Sequence, residues 1–121
     1  LRALANSDHE SGLILDSFLL RSLAVAGWAP SFDECARCGA PGPHRAFHPA
    51  SGGALCVDCR VPGYSLPSEG TLELMGALLA GDWEVADAST ARQRRDAAGV
   101  TSAYLQWHLE RHLRSLPHVE R

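Results

Sequence analysis

The four cysteines of this chain fall into two close pairs, Cys35-Ala-Arg-Cys38 and Cys56-Val-Asp-Cys59, with seventeen residues between the pairs. A two-residue spacing lets one tight turn aim both sulfurs at a single ion, and two such turns complete the tetrahedron that Zn²⁺ accepts. Gly39, directly after the first pair, suits that turn. One structural Zn²⁺ held by Cys35, Cys38, Cys56 and Cys59 is the expectation. With every position taken by a thiolate, no site is open for water and Lewis-acid hydrolysis is disfavoured. Two disulfides would want an oxidising compartment that nothing in the sequence indicates, and a redox-active Cys-x-x-Cys usually sits beside a βαβ pattern. An iron–sulfur cluster also uses four cysteines, but paired spacings across a hairpin-like insert fit a zinc ribbon better than ferredoxin runs. The fold must therefore bring residues 35–38 and 56–59 together.

The segment that carries the pairs, residues 31–67, is rich in Gly and Pro, which excludes a long helix there. His44–His48 and Ala54–Val57 read as two short strands joined by the turn-rich residues 49–53. On either side the pattern is helical. Ser11–Gly27 predicts a helix with Ser11 as N-cap and Gly27 as its stop, followed by Trp28 and Pro30. Only Asp16, Ser17, Arg21 and Ser22 interrupt its apolar surface, so burial on most sides is expected. A second helical pattern resumes near Ser68, with Leu72, Met75, Leu78 and Leu79 at three- and four-residue steps and Gly81 at its end. Residues 82–88 read as a connector with at most a helical turn. A further helix begins near Ser89 or Thr90 and breaks or bends at Gly99. The last helix places Leu105, Leu109, Leu113 and Leu116 on one face and ends at Pro117.

The expected fold class is thus mainly α: a helical bundle with an inserted four-cysteine zinc knuckle or ribbon, at about residues 31–67, carrying a short β-hairpin. A length of 121 residues fits one such domain. No apolar run approaches the roughly 20 residues of a membrane span, which points to a soluble protein. The opening Leu1-Arg-Ala-Leu-Ala5 reads as the tail of a helix begun further upstream, so a fragment is expected. All 11 basic residues are arginine, and Ala and Gly are abundant, a usage that fits a high-GC bacterial genome. Four thiolates and a divalent cation would add two negative charges to the formal net charge of −3. Such a balance argues against non-specific attachment of this segment to nucleic acid, which depends on clustered cations.

Outside the cysteines the chemistry is sparse. His108 and His112 stand four apart with Glu110 between them, a spacing that can ligate a metal from one helix face, but the order is not the His-Glu-x-x-His of metalloproteases. A solvated or packed histidine pair is the ordinary outcome. His44 and His48 flank the hairpin and are expected to be spectators. Arg37, Arg45 and Arg60, near the ligands, are read as offsetting the charge of the site. Arg92, Arg94 and Arg95 form the one dense basic cluster, by default a solvated face and otherwise the best local anion site. Tyr104 and Trp107 are core residues or stacking surfaces for a base. No phosphate loop, activated nucleophile or paired carboxylate supports catalysis.

The run Leu15-Asp-Ser-Phe-Leu-Leu-Arg-Ser-Leu-Ala-Val-Ala-Gly-Trp-Ala-Pro30, the segment Cys35-Ala-Arg-Cys-Gly-Ala-Pro-Gly-Pro43 and the ending Ala103-Tyr-Leu-Gln-Trp-His-Leu-Glu-Arg-His-Leu-Arg-Ser-Leu116 resemble the C-terminal half of the RecO family of bacterial DNA repair proteins, in its actinobacterial form. The resemblance covers residues 1–121. It implies a cytoplasmic, non-catalytic recombination mediator that binds single- and double-stranded DNA, anneals strands and works with RecR, and in many lineages RecF, to place RecA on DNA coated by single-stranded DNA-binding protein. It also implies that the family's N-terminal oligonucleotide-binding barrel, the main DNA surface, is absent from this chain. The helical, zinc-bearing part is then expected to dock the acidic, apolar-ended tail of single-stranded DNA-binding protein and to contribute RecR and DNA contacts. Arg21, Arg111 and Arg114 are candidates for the rim of the tail groove, with Arg92, Arg94 and Arg95 as further partner or DNA contacts. Some family members lack the cysteines, which implies a stabilising role for the metal. A free-standing zinc-ribbon adaptor or nucleic-acid module is the competing reading, and a hydrolase built on His108, His112 and Glu110 the remote one.

Overall fold

A computed structural model describes residues 11–115, and the expected upstream helix tail, Leu116 and Pro117 lie outside them. Four helices and one hairpin make up the described chain: α1 (Ser11–Val25), β1 (Ala46–His48), β2 (Gly53–Leu55), α2 (Thr71–Ala80), α3 (Trp83–Asp87) and α4 (Ala91–Ser115). Helices α1, α2 and α4 pack against one another in pairs, and α3 packs on α2. The expected mainly α bundle with an inserted hairpin is the observed architecture.

Several helix ends follow local signals in the sequence. Gly27, at φ 90°, closes α1 in a Schellman turn: the Trp28 N–H reaches Leu23 O at 2.8 Å and the Gly27 N–H reaches Ala24 O at 3.0 Å. Gly81, at φ 83°, closes α2. Asp82 then caps α3 by accepting the Val85 N–H, so the expected connector holds a short helix. Thr90 and Gln93 form a reciprocal capping box at the start of α4, Thr90 N–H to Gln93 Oε1 at 2.9 Å and Gln93 N–H to Thr90 Oγ1 at 3.1 Å.

Three expectations fail. Ser11 is already helical and does not cap α1, and that helix is buried along one face only. Leu13, Leu20 and Leu23 enter the core, whereas Leu15, Phe18 and Val25 are exposed by 56%, 64% and 90%. The buried face includes two of the supposed interruptions, Asp16 and Ser17. The Ser17 hydroxyl donates to Leu78 O at 2.9 Å, satisfying a carbonyl in the last turn of α2 that has no helical partner.

Second, α4 runs unbroken through Gly99. A lone glycine inside a helix costs only about 1 kcal/mol relative to alanine, far less than twenty-five residues of helix supply through cap and packing. Third, the leucine row of α4 is only partly buried, with Leu105 packed against the core. Ala97, Thr101 and Tyr104 are buried, while Leu109 and Leu113 are 48% and 64% exposed. Small residues at 97 and 101 let α4 approach its neighbours closely, and Tyr104 supplies the bulk.

The hairpin pairs Ala46 with Leu55, Phe47 with Ala54 and His48 with Gly53. Because successive strand residues face opposite ways, it is divided between two cores. Phe47 and Ala54 join the helical core, where Phe47 lies 6.1 Å from Phe32 and meets Tyr104 edge-on at 5.6 Å. Ala46 and Leu55 join a smaller cluster with Cys35, flanked by Cys56, Cys59 and Val61. Gly53 brings the hairpin against Ser31 so closely that a Cβ would collide with the Ser31 backbone.

Two substitutions test this account. Phe47→Ala empties a fully buried site shared by hairpin and helices and should cost about 3–5 kcal/mol in denaturant unfolding. Gly99→Ala, at an exposed helical position with open space for a Cβ, should raise stability by about 0.5–1 kcal/mol. A destabilising alanine would show that α4 needs glycine there.

Candidate metal centre

The two cysteine pairs are placed by turns that belong to the insertion and held together by the hairpin. In the first knuckle the Gly39 N–H donates to Cys35 O at 2.9 Å, the Cys35 N–H to Ala40 O at 2.9 Å, and Gly39 takes φ 80°. In the second, Cys56 leads into a tight helical turn over Val57–Cys59, with the Cys59 N–H on Cys56 O at 3.1 Å. Leu55 of β2 immediately precedes Cys56, and the Ala36 N–H reaches Ala54 O at 2.7 Å, so β2 positions both knuckles.

The four ligand sulfurs lie within 4.8 Å of one another. A tetrahedron with metal–sulfur bonds of about 2.3 Å has edges of about 3.8 Å, and the Cys38 and Cys56 sulfurs stand 3.7 Å apart. All four cysteines are free, and that separation is far from the 2.05 Å or so of a disulfide. The Arg37 N–H points at Cys35 Sγ, 3.4 Å away.

The titration of the cluster favours a cation. Burial pushes the Cys35 thiol up, but backbone N–H groups at Cys56, Cys38 and Arg37 outweigh it and draw the group down to about 5. Cys59 is pushed up to about 12, chiefly by its hydrogen bond with Cys56, then by Cys38 and burial. At Cys38 the Ala40 backbone lowers the value, yet the Cys56 and Cys35 thiols prevail and raise it. The site accepts a first thiolate readily and resists the last. Four thiolates at such spacing require a compensating positive charge, which a divalent ion supplies. Among the described residues this is the one grouping of three or more His, Cys, Asp or Glu side chains able to hold a metal.

The other candidates are dispersed. Arg45 spends its guanidinium on Pro67 O, at 3.2 and 3.0 Å, anchoring the return of the chain to α2. Arg60 lies 5.4 Å over the Tyr64 ring. Of the three arginines expected to offset the cluster's charge, Arg37 acts on it through its backbone N–H. His44 Nε2 donates to Ala40 O at 2.9 Å and His48 Nδ1 meets Ser51 Oγ at 2.7 Å, so both histidines serve the loops beside the site.

Of the basic cluster on α4, Arg92 and Arg95 are exposed and Arg94 is held within the fold. Arg94 donates to Ser89 Oγ at 2.9 Å and to Asp87 O at 3.0 Å, holding the end of α3. Arg92 and Arg95 contribute to the low value of Asp96, whose carboxylate is stabilised first by the Ser68 hydroxyl and then by the Ser68 N–H at 2.8 Å. His108 is packed: it stacks on Trp28 at 4.7 Å and 10° and meets Tyr104 and Trp107 edge-on. Burial and then the Arg111 charge depress its basicity. Tyr104 is a core residue whose hydroxyl donates to Trp28 O at 2.8 Å. Trp107 is half-buried beneath Arg111, 4.9 Å from its ring.

The arginines proposed for one rim do not share it. Arg21 borders a groove of about 310 Å³ lined by Ile14, Phe18, Val25 and Trp83, with its guanidinium beside Gly81. Arg111 lines a separate cavity with Trp28 and Trp107. Arg94 and Arg95 border a third, beside Leu15. Arg114 is exposed on α4 and lines none of these three. Trp83 and Phe18 are the groove residues that sequence reasoning missed, and the exposed apolar face of α1 was the signal.

The family model described as "Recombination protein O C terminal" matches residues 1–117. The chain belongs to the RecO C-terminal family. It is 62% identical over 121 residues to the DNA repair protein RecO of Streptomyces avermitilis and 60% identical to that of Streptomyces coelicolor. Each alignment covers the whole chain and 49% of the relative, so the chain spans about half the length of the curated RecO proteins it matches. No solved structure matches.

The cluster predicts an order of failure. Cys59→Ser should abolish stoichiometric metal binding and cost more than about 3 kcal/mol of stability, as loss of a structural metal does. Thermal unfolding and metal analysis check it. A metal-free variant with native stability would show that the site is no staple.

Proposed function

We propose that this chain is the metal-stabilised, partner-binding part of a RecO recombination mediator acting in bacterial DNA repair. The whole protein, on this reading, is cytoplasmic and not an enzyme: it anneals DNA strands and, with RecR, helps load RecA on DNA coated by single-stranded DNA-binding protein. DNA is held mainly by an N-terminal oligonucleotide-binding barrel. The four-cysteine cluster takes one Zn²⁺, since a closed set of four thiolates matches that ion's preference for tetrahedral sulfur. Zinc there supplies folding energy and no reactive water.

The observation that carries the reading is the groove beside α1. Phe18 and Val25 are exposed on a helix face that Trp83 walls on one side, and Arg21 stands at the edge. An apolar floor with a cation at its rim is complementary to a peptide that ends in apolar residues and carries carboxylates. The tail of single-stranded DNA-binding protein has that chemistry. The competing adaptor reading, in which this segment itself grips nucleic acid, has Arg111 over Trp107 in its favour, but Arg94 is bonded within the fold and the net charge is negative.

A fluorescent tail peptide titrated with the full-length protein should bind, and more weakly as salt rises. Arg21→Ala should lower affinity about tenfold, the 1.4 kcal/mol of one charge-assisted contact, and Phe18→Asp should abolish binding. Peptide binding indifferent to both changes would remove the groove from the reading. Tight binding of single-stranded oligonucleotide by the fragment of residues 1–121, without peptide binding, would favour the adaptor.

A further inference from the structure

The cysteines of the cluster are unequally exposed as residues. Cys35 is 3% exposed and its Sγ receives the Arg37 N–H. Cys56 and Cys59 are half-buried, whereas Cys38 is exposed. The exposed residue Cys38 also has a second sulfur in contact with its own, Cys56 Sγ at 3.7 Å, and that neighbour belongs to the other knuckle. In the second turn Val57 is 76% exposed and Asp58 is exposed as well.

We propose that Cys38 is an oxidation site at which a hydroperoxide starts release of the metal, closing a Cys38–Cys56 disulfide across the two knuckles. The proposal rests on the Zn²⁺ reading above. The Cys38 thiolate attacks one peroxide oxygen; the S–O bond forms, the O–O bond breaks, and the departing hydroxide takes a proton to leave as water. Cys38 then carries a sulfenic acid. The Cys56 thiolate attacks that sulfur, the S–S bond forms, the S–O bond breaks, and a second hydroxide leaves as water. Two thiolates have lost two electrons, and one hydrogen peroxide with two protons has become two waters.

The geometry makes the consequence selective. Closing the bond moves the sulfurs from 3.7 Å to about 2.05 Å, and it removes two of four donors at once. Cys35 and Cys59 remain, half of the set that a tetrahedral ion requires. The reaction itself breaks neither the backbone bond from Ala36 to Ala54 O nor that from Cys35 to Ala40 O, and a thiol reductant regenerates the two lost donors.

Trypsin distinguishes the alternatives, because Arg37 separates Cys35 from Cys38 and Arg45 separates Cys38 from the second pair. The zinc-loaded full-length protein is treated with hydrogen peroxide, freed zinc is read with a chromogenic chelator, and the alkylated protein is digested for mass spectrometry. The expected result is one zinc released for two thiols consumed, with peptide 38–45 joined to peptide 46–60 and fragmentation placing the bond on Cys56. Reductant should reverse both readings. A bond joining peptides 22–37 and 38–45, a bond internal to 46–60, or zinc retained under excess peroxide would overturn the proposal. A protein without zinc before peroxide is added would overturn the metal reading instead.

Discussion

The described fold depends on a hairpin three residues wide on each strand. Its pleat sends Phe47 and Ala54 into the helices and Ala46 and Leu55 toward the sulfurs. Neither core is large, and the hairpin is buried by both. A two-stranded ribbon of this length has no stability of its own in water, so it exists because the helical core clamps one face and the cysteine cluster the other. Ser31 adds backbone bonds to Gly52 O and from the Ala54 N–H, and Ser65 exchanges two with Phe47.

What the sequence disclosed follows a physical divide. Ligand chemistry is local: a two-residue spacing and a following glycine suffice to place two sulfurs, and the cluster closes as the spacing requires. Helix ends are local too, hence the legibility of Gly27 and Gly81. Which face of a helix is buried is a tertiary property. On α4 the row of leucines is the more hydrophobic, yet Ala97, Thr101 and Tyr104 face the core because close approach favours small side chains. The Gly99 break failed for a related reason, since a local penalty is outvoted by a long helix. The groove joins Phe18 of α1 to Trp83 of α3, residues far apart in the chain, and no periodicity connects them.

Polar side chains do most of the stitching between elements. Ser17 ties α1 to α2, Tyr104 ties α4 to the end of α1, Asp96 ties α4 to the approach to α2, and Arg94 ties α4 to α3. Each bonds a backbone group near a helix end or in a connection, where helical partners run out. Arg94 of the basic cluster and Ser17 among the helix-interrupting residues thus serve bonds between elements of the fold. Arg21, Arg111 and the pair Arg94 and Arg95 each border a different one of the described grooves.

The small core beneath the cysteines carries an evolutionary corollary. Ala46 and Leu55 are fully buried there in a cluster with Cys35, Ala40, Cys56, Cys59 and Val61, so the cysteine side chains provide much of the filling. In a lineage that gives up the cysteines, four polar or small replacements would leave a hollow under the hairpin. Loss of the ligands has to be accompanied by larger apolar side chains at positions such as 46, or by shortening of the whole insertion. Replacement of the cysteines thus reaches position 46 and the inward face of the hairpin, while Phe47, on the opposite face, stays committed to the helices.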